Sequence, residues 1–175
     1  MAFIWRGTPE DRDVWGRGWV SIFNDSRTPL SYDSGYQVWR SLGDLSSMYY
    51  ALGLHQDCAM TKKMPFYQFE LRRRYASHLY CEDKVFCTLL GRPPRISGRY
   101  SSDIMCADIS DSILYLEDAA LEKALETLNE DGWNKDGMLR PSTVKRMKLI
   151  VCQFREEVLE ICLGAPRDDI YDKGL

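Results

Sequence analysis

A chain of 175 residues and 20.3 kDa, 45% hydrophobic and 28% charged, suffices for one domain that buries roughly 70% of its unfolded surface. Its formal net charge of -3 and pI near 5.5 exclude the overall positive field that a free-standing nucleic-acid binder uses to neutralise phosphates. The apolar run before Arg6 is too short for a secretory leader, and no uncharged stretch approaches the ~20 residues that span a bilayer, so the expectation is a soluble, intracellular protein with no membrane partner.

Residues 1–35 read as a loosely structured lead-in with one short helix at 14–23, because "NDSRTPLSYDSG" gathers turn formers and a proline. The first sustained helix is expected over 36–54, where Val38, Leu42, Leu45, Tyr49 and Leu52 recur at intervals of four, three, four and three. Gly53 falls in its closing turn. His55 follows at the negative end of the helix dipole, where a polar or cationic residue is at home.

A second helix is expected over 67–90. At 100° per residue, Tyr75, Ala76, Leu79, Phe86 and Leu90 share one face, and Asp83 falls in the middle of it. A carboxylate aimed at a core needs a partner, since an unpaired buried charge costs several kcal/mol. Arg92 is the nearest candidate cation. Gly91 can supply the left-handed residue that ends the helix, and Pro93 and Pro94 prevent its resuming. Arg92 is therefore expected to fold back and pair with Asp83. At the other end, Arg72, Arg73 and Arg74 spread over roughly 200° of helix surface, too wide for a DNA-reading stripe. They read as a solvated helix start, balanced by Glu70 or an acidic neighbouring helix.

Two further helices are expected over 111–130 and 141–163, joined by the turn-rich "EDGWNKDG". In the last, Val144, Met147, Val151, Phe154, Val158 and Ile161 alternate by three and four and are expected to be buried. Lys145, Arg146 and Lys148 read as its polar face. Pro141 suits its first turn, Gly164 and Pro166 mark its stop, and 166–175 form a tail. With no sustained β alternation, the fold class is all-α with four or more helices.

Signatures of enzyme chemistry are missing: there is no phosphate-cradling glycine loop, nucleophile elbow, zinc-protease helix, EF-hand or dinucleotide fingerprint. The carboxylate pairs Glu156–Glu157 and Asp168–Asp169 read as solubility charges. Six cysteines form no C-x-x-C pair and only two histidines are available, so neither a metal site nor a cofactor is assigned. The cysteines read as small core residues.

Three stretches taken together carry a resemblance: "WRSLGDLSSMYYALGLHQD" at 39–57, "ELRRRYASHLYCEDKVFCTLLGRPPRIS" at 70–97, and the following "SDIMCADIS". Their order and spacing are similar to the middle homology region of fungal binuclear zinc-cluster (six-cysteine) transcription factors. The matching positions are Trp39, Gly53, His55, Arg72, Arg73, Arg74, Asp83, Gly91, Arg92, Pro93 and Pro94, which the resemblance implies are structural or line an effector pocket. The aromatic pair usual after the arginines is here Tyr75–Ala76, and the stretch at 44–50 lacks the family's arginine.

The resemblance implies an all-α regulatory domain over 36–165, partial relative to the family region, acting in the nucleus. It further implies homodimers or heterodimers with related factors, a small-molecule effector, and DNA reached only through a separate N-terminal domain or a partner. The family's zinc cluster has no counterpart among these cysteines. Two other readings compete. A small-molecule-binding helical module would gather Asp83, Arg92, His55 and His78 around one cavity, whereas a protein-interaction module would leave a large apolar face exposed on the 141–163 helix.

Overall fold

Proline and glycine punctuation sets the limits of the two longest helices. The computed structural model describes residues 32–56, 65–101, 104–116 and 118–164, and within them four α-helices follow in order. They are α1 (Tyr32–Ala51), α2 (Phe66–Leu90), α3 (Asp118–Leu125) and α4 (Pro141–Leu163), with 3-10 turns at Gly98–Tyr100 and Ile113–Tyr115. No strand occurs among the described residues; one isolated antiparallel bridge joins Leu128 to Asn134. The fold class is all-α. α1 starts at Tyr32, inside the expected lead-in, while the short helix expected at 14–23 and the tail at 166–175 lie outside the described residues.

α2 is the central element, packed on one side by α1 and on the other by α4. Leu45 and Tyr49 of α1 meet Ala76, Leu79 and Tyr80 of α2, which in turn meet Leu149 and Cys152 of α4. A second cluster joins Leu42, Cys87 and Leu159 near the other end, with Trp39 and Phe86 against it. Each fully buried aliphatic side chain contributes on the order of 1.5–3 kcal/mol before entropy. The thiols of Cys81, Cys87, Cys106 and Cys152 are free and buried, as small apolar side chains are.

Two expectations fail. The 111–130 segment is not one helix: it makes the 3-10 turn at Ile113–Tyr115, extends at Leu116, and turns helical only over Asp118–Leu125. Leu114 is buried in a third cluster with Ala107 and Ile109, against which Phe66 and Tyr67 of α2 pack. Tyr115 stacks on Tyr67 at 6.5 Å. Holding this cluster under the start of α2 takes a turn there, and local helix propensity yields to it.

The second failure is the face of α4. Ser142, Arg146, Leu149, Cys152, Glu156 and Leu159 are buried, while Val144, Met147, Val151, Phe154, Val158 and Ile161 are exposed. The helix carries two opposed stripes with helical spacing, and it is the more polar one that meets α2. Arg146, expected on the polar surface, is buried: it donates to the Cys106 and Asp131 carbonyls and lies 4.2 Å over the Trp133 ring.

Gly91 closes α2 at φ 61°, and the N–H groups of Gly91 and Arg92 both return to the Cys87 carbonyl. A Cβ at Gly91 would meet nothing within 4 Å, so substitution is opposed by backbone conformation alone. Gly91→Ala is expected to lower stability by about 1–2 kcal/mol. Urea titration with an unchanged m-value would show this.

Candidate functional site

The two prolines after Gly91 carry no N–H, so the first backbone donors available beyond the turn are those of Arg95 and Ile96. Asp83 sits where they arrive. Its carboxylate accepts from the Arg95 N–H at 3.2 Å by either oxygen and from the Ile96 N–H at 3.0 Å. Ser97 N–H donates to the Tyr50 hydroxyl at 3.0 Å, and Gly98 N–H donates to both oxygens of Glu156 at 3.0 and 3.1 Å. Four consecutive backbone donors are thus accepted by side chains of α2, α1 and α4. The segment bends at Arg95 and Ile96 and enters the 3-10 turn at Gly98, so its N–H groups are satisfied by side chains rather than by regular secondary structure.

Lys84 fills the space between the carboxylates. Its side chain is fully buried; Nζ donates to Asp83 Oδ2 at 2.8 Å and to the Ile96 carbonyl, and lies 3.4 Å from Glu156 Oε2. The same ammonium sits 4.2 Å from the Tyr80 ring centroid, and the Tyr80 hydroxyl donates to Glu156. Burial and the adjoining Glu156 carboxylate push the Tyr80 phenol far up, so it remains a donor. Burial likewise lifts Tyr49 to about 12, against the pull of its hydrogen bond to Ser101 Oγ at 2.8 Å. At Gly98 a Cβ would lie 3.1 Å from Glu156 Oε2 and 3.2 Å from the Tyr80 hydroxyl, two atoms already fixed in the network.

The expected Asp83–Arg92 pair does not form. The turn delivers backbone donors to Asp83 before Arg92 can reach it, and the adjacent Lys84 supplies the cation. Arg92 instead crosses to α1, where its guanidinium lies 5.0 Å from the Trp39 centroid; Arg95 lies 4.1 Å from the same ring. Pro94 is half-buried, and the Pro93 carbonyl accepts from the Cys87 thiol at 3.5 Å.

The arginine triplet also departs from a solvated helix start. Arg74 is buried, bonded to Glu70 at 3.1 Å as expected and to Asp111 beyond the helix. Glu70 also accepts from the Ala107 N–H at 3.0 Å; burial pushes its carboxyl up against the pull of Arg74. Arg72 donates to the Leu52 carbonyl at 2.9 Å and, more weakly, to that of Gly53, closing the end of α1. There Gly53 has φ 63°, and His55 meets the Tyr50 ring edge-on at 5.0 Å. Arg73 lies 4.2 Å over Phe69.

Asp83, Arg92, His55 and His78 therefore have separate neighbours. Asp83 serves the 95–96 backbone, Arg92 serves Trp39, and His55 serves Tyr50. His78, lowered by burial and raised by Glu82, faces Glu82, Lys145 and Lys148.

Sequence reasoning missed Glu156 and Asp108. Glu156, read as a solubility charge, is buried within the network. Asp108 is buried at the start of α4, accepting from Ser142 Oγ at 2.8 Å, Thr143 Oγ1 at 2.7 Å and Asn134. Glu156 could have been found from the helical stripe it shares with Ser142, Arg146, Leu149, Cys152 and Leu159. For Asp108 the only signal is a carboxylate within the family-like "CADIS".

Among the described residues, no group of three or more His, Cys, Asp or Glu could hold a metal ion, and no helix is long and apolar enough to cross a membrane. The buried thiols do not fit a zinc cluster. Cys152 faces Cys81, its thiol 3.8 Å from the Cys81 carbonyl, while Cys87 is held by Asp83 and Pro93.

A family model described as "fungal specific transcription factor domain" matches residues 28–162. No curated protein and no solved structure matches the chain.

Removing the Asp83 carboxylate leaves Lys84 buried with a weakened counter-charge and two backbone donors unsatisfied. Asp83→Ala is expected to cost about 3–5 kcal/mol, a large share of the ~5–15 kcal/mol that holds a domain together. Chemical denaturation against the parent chain measures it. Asp108 gives a pH signature. Burial raises its carboxyl, but the Thr143 and Ser142 hydroxyls and Asn134 outweigh burial and hold it below its ordinary 3.8. Its contribution is complete above that value and is lost as pH falls further toward the depressed folded pKa. Asp108→Asn should flatten the acid limb of stability below pH 3.8.

Proposed function

The chain belongs to the fungal-specific transcription factor domain family, and on that premise we propose that it acts in the nucleus as a regulatory domain whose own arginines make no DNA contact. DNA is reached through another polypeptide segment or a partner. One observation carries this reading: the arginines of the family-like block serve the fold. Arg72 caps carbonyls, Arg74 joins two carboxylates, and Arg92 and Arg95 flank Trp39. These contacts spread the guanidinium groups over separate partners in the fold and do not gather them into one phosphate-binding face. The net charge of -3 points the same way.

Regulation through protein contact is favoured over a small-molecule effector, because Asp83, Arg92, His55 and His78 each answer to separate neighbours. It is also favoured over catalysis. The buried carboxylates of Asp83 and Glu156 are engaged by backbone donors and by Lys84, which fixes them within the fold. A related factor is the natural heteropartner under this reading.

The test joins the chain to an unrelated DNA-binding module and an activation segment in a reporter cell. The expected outcome is a change in reporter output relative to the module alone, together with no shift of duplex DNA by the purified chain at low salt. A salt-dependent shift, weakened by Arg72→Ala or Arg73→Ala, would overturn the reading.

A further inference from the structure

Two buried thiols face each other across the packing of the two longest helices. Cys81 of α2 and Cys152 of α4 are each 1% exposed and belong to the same apolar cluster. The Cys152 sulfur lies 3.8 Å from the Cys81 carbonyl oxygen, and the Cys81 thiol is within hydrogen-bonding reach of that sulfur. The other buried thiols among the described residues have different company. Cys87 meets the Asp83 carboxylate and the Pro93 carbonyl, and Cys106 lies beside Glu70, Arg74 and Arg146.

The pair is unequal. The hydrogen bond from Cys81, helped by the cations of Arg155 and Lys148, outweighs burial and holds the Cys152 thiol below its ordinary range. The same contact, together with burial, pushes the Cys81 thiol far up, so it keeps its proton. One sulfur is thus prepared to attack and the other to follow.

The cover over the pair is thin. Lys148 lies one helical turn before Cys152, and Glu82 directly follows Cys81 in the chain. The two charges meet at 2.8 Å and are 44% and 24% exposed. An exposed ion pair of this kind contributes little to stability, and its side chains rearrange rapidly, which opens a route for a neutral molecule little larger than water.

We propose that Cys81 and Cys152 are a redox-active dithiol, oxidised by hydrogen peroxide to a disulfide that links α2 to α4. This does not rest on the regulatory reading. The Cys152 thiolate attacks one peroxide oxygen: an S–O bond forms, the O–O bond breaks, and the departing hydroxide takes up the proton that Cys152 released. The Cys81 sulfur then attacks the resulting sulfenic acid. The S–S bond forms, the S–O bond breaks, and the hydroxyl leaves as water with the Cys81 proton. Two thiols together lose two electrons and two protons, and one peroxide becomes two waters. The link spans 71 residues of chain, so it restrains the unfolded state and holds α4 to α2 independently of the Lys84 network.

The test exposes the folded full chain to a graded series of hydrogen peroxide, blocks the remaining thiols after denaturation, and maps the peptides by mass spectrometry. The expected product is a cross-linked Cys81–Cys152 peptide pair lacking two hydrogens and restored by dithiothreitol. The far-UV CD spectrum should be unchanged and the urea midpoint raised. In Cys81→Ser the reaction should stop at a Cys152 sulfenic acid that a cyclic 1,3-diketone captures. Glu82→Gln, at a partly exposed position, should oxidise severalfold faster than the parent because the cover is loosened. Full alkylation of both thiols at peroxide levels that oxidise the exposed Cys162 would overturn the proposal. So would a link that forms only after unfolding in urea, a linked chain with a lowered urea midpoint, or a rate indifferent to Glu82→Gln.

Discussion

A lysine with no exposed surface is the constraint from which the rest of this domain follows. Lys84 lies at the crossing of α2, α4 and the chain at 95–98, and burying an ammonium is tolerable only when it is paired and hydrogen-bonded. Asp83 and Glu156 supply the charges. Two carboxylates for one ammonium leave a negative excess, and this is balanced by the backbone dipoles of Arg95, Ile96 and Gly98 and by the Tyr80 hydroxyl. The network therefore explains more than its own burial. It sets the direction in which the chain leaves α2, the rotation of α4 about its axis, and the need for glycine at 98.

That rotation is why the sequence was only half legible. Periodicity identified α2 and α4 to within a residue or two, because Gly91, Pro141 and Gly164 act through the local backbone and need no knowledge of neighbours. Which side of α4 faces inward is a different kind of fact. The six apolar side chains form the more hydrophobic stripe, yet the opposite stripe contains Arg146 and Glu156, each answering a group elsewhere in the chain. Hydropathy detects a stripe and carries no information about the partner that selects it. The same limit applies to Asp83. Its place in the core was legible from helical angle, whereas its partners depended on two prolines withholding their N–H groups. Arg74, Glu70 and Asp111 repeat the lesson with a triad in which Arg74 and Asp111 lie 37 residues apart.

The family-like block thus has a physical meaning. "EDK" and "GRPPRIS" are the two halves of one joint, and the arginines of "ELRRR" fasten α2 to the end of α1 and to the turn before Ile113. Trp39 belongs to the same joint through Arg92 and Arg95. A domain held by such long-range polar contacts has a defined arrangement of helices, suited to presenting one helix surface in a fixed orientation to whatever it controls.

The joint also dictates when the fold can be completed. Tyr80 and Glu156 lie 76 residues apart. At the ~5–20 residues per second of synthesis, roughly 4–15 s separate the emergence of α2 from that of its last counter-charge. Throughout that interval the chain can assemble α1 against α2 but cannot seal Lys84. When Glu156 arrives, it comes on the same helix that carries the exposed apolar stripe from Val144 to Ile161. Completion of the core and presentation of that apolar stripe are therefore one event in the life of the nascent protein.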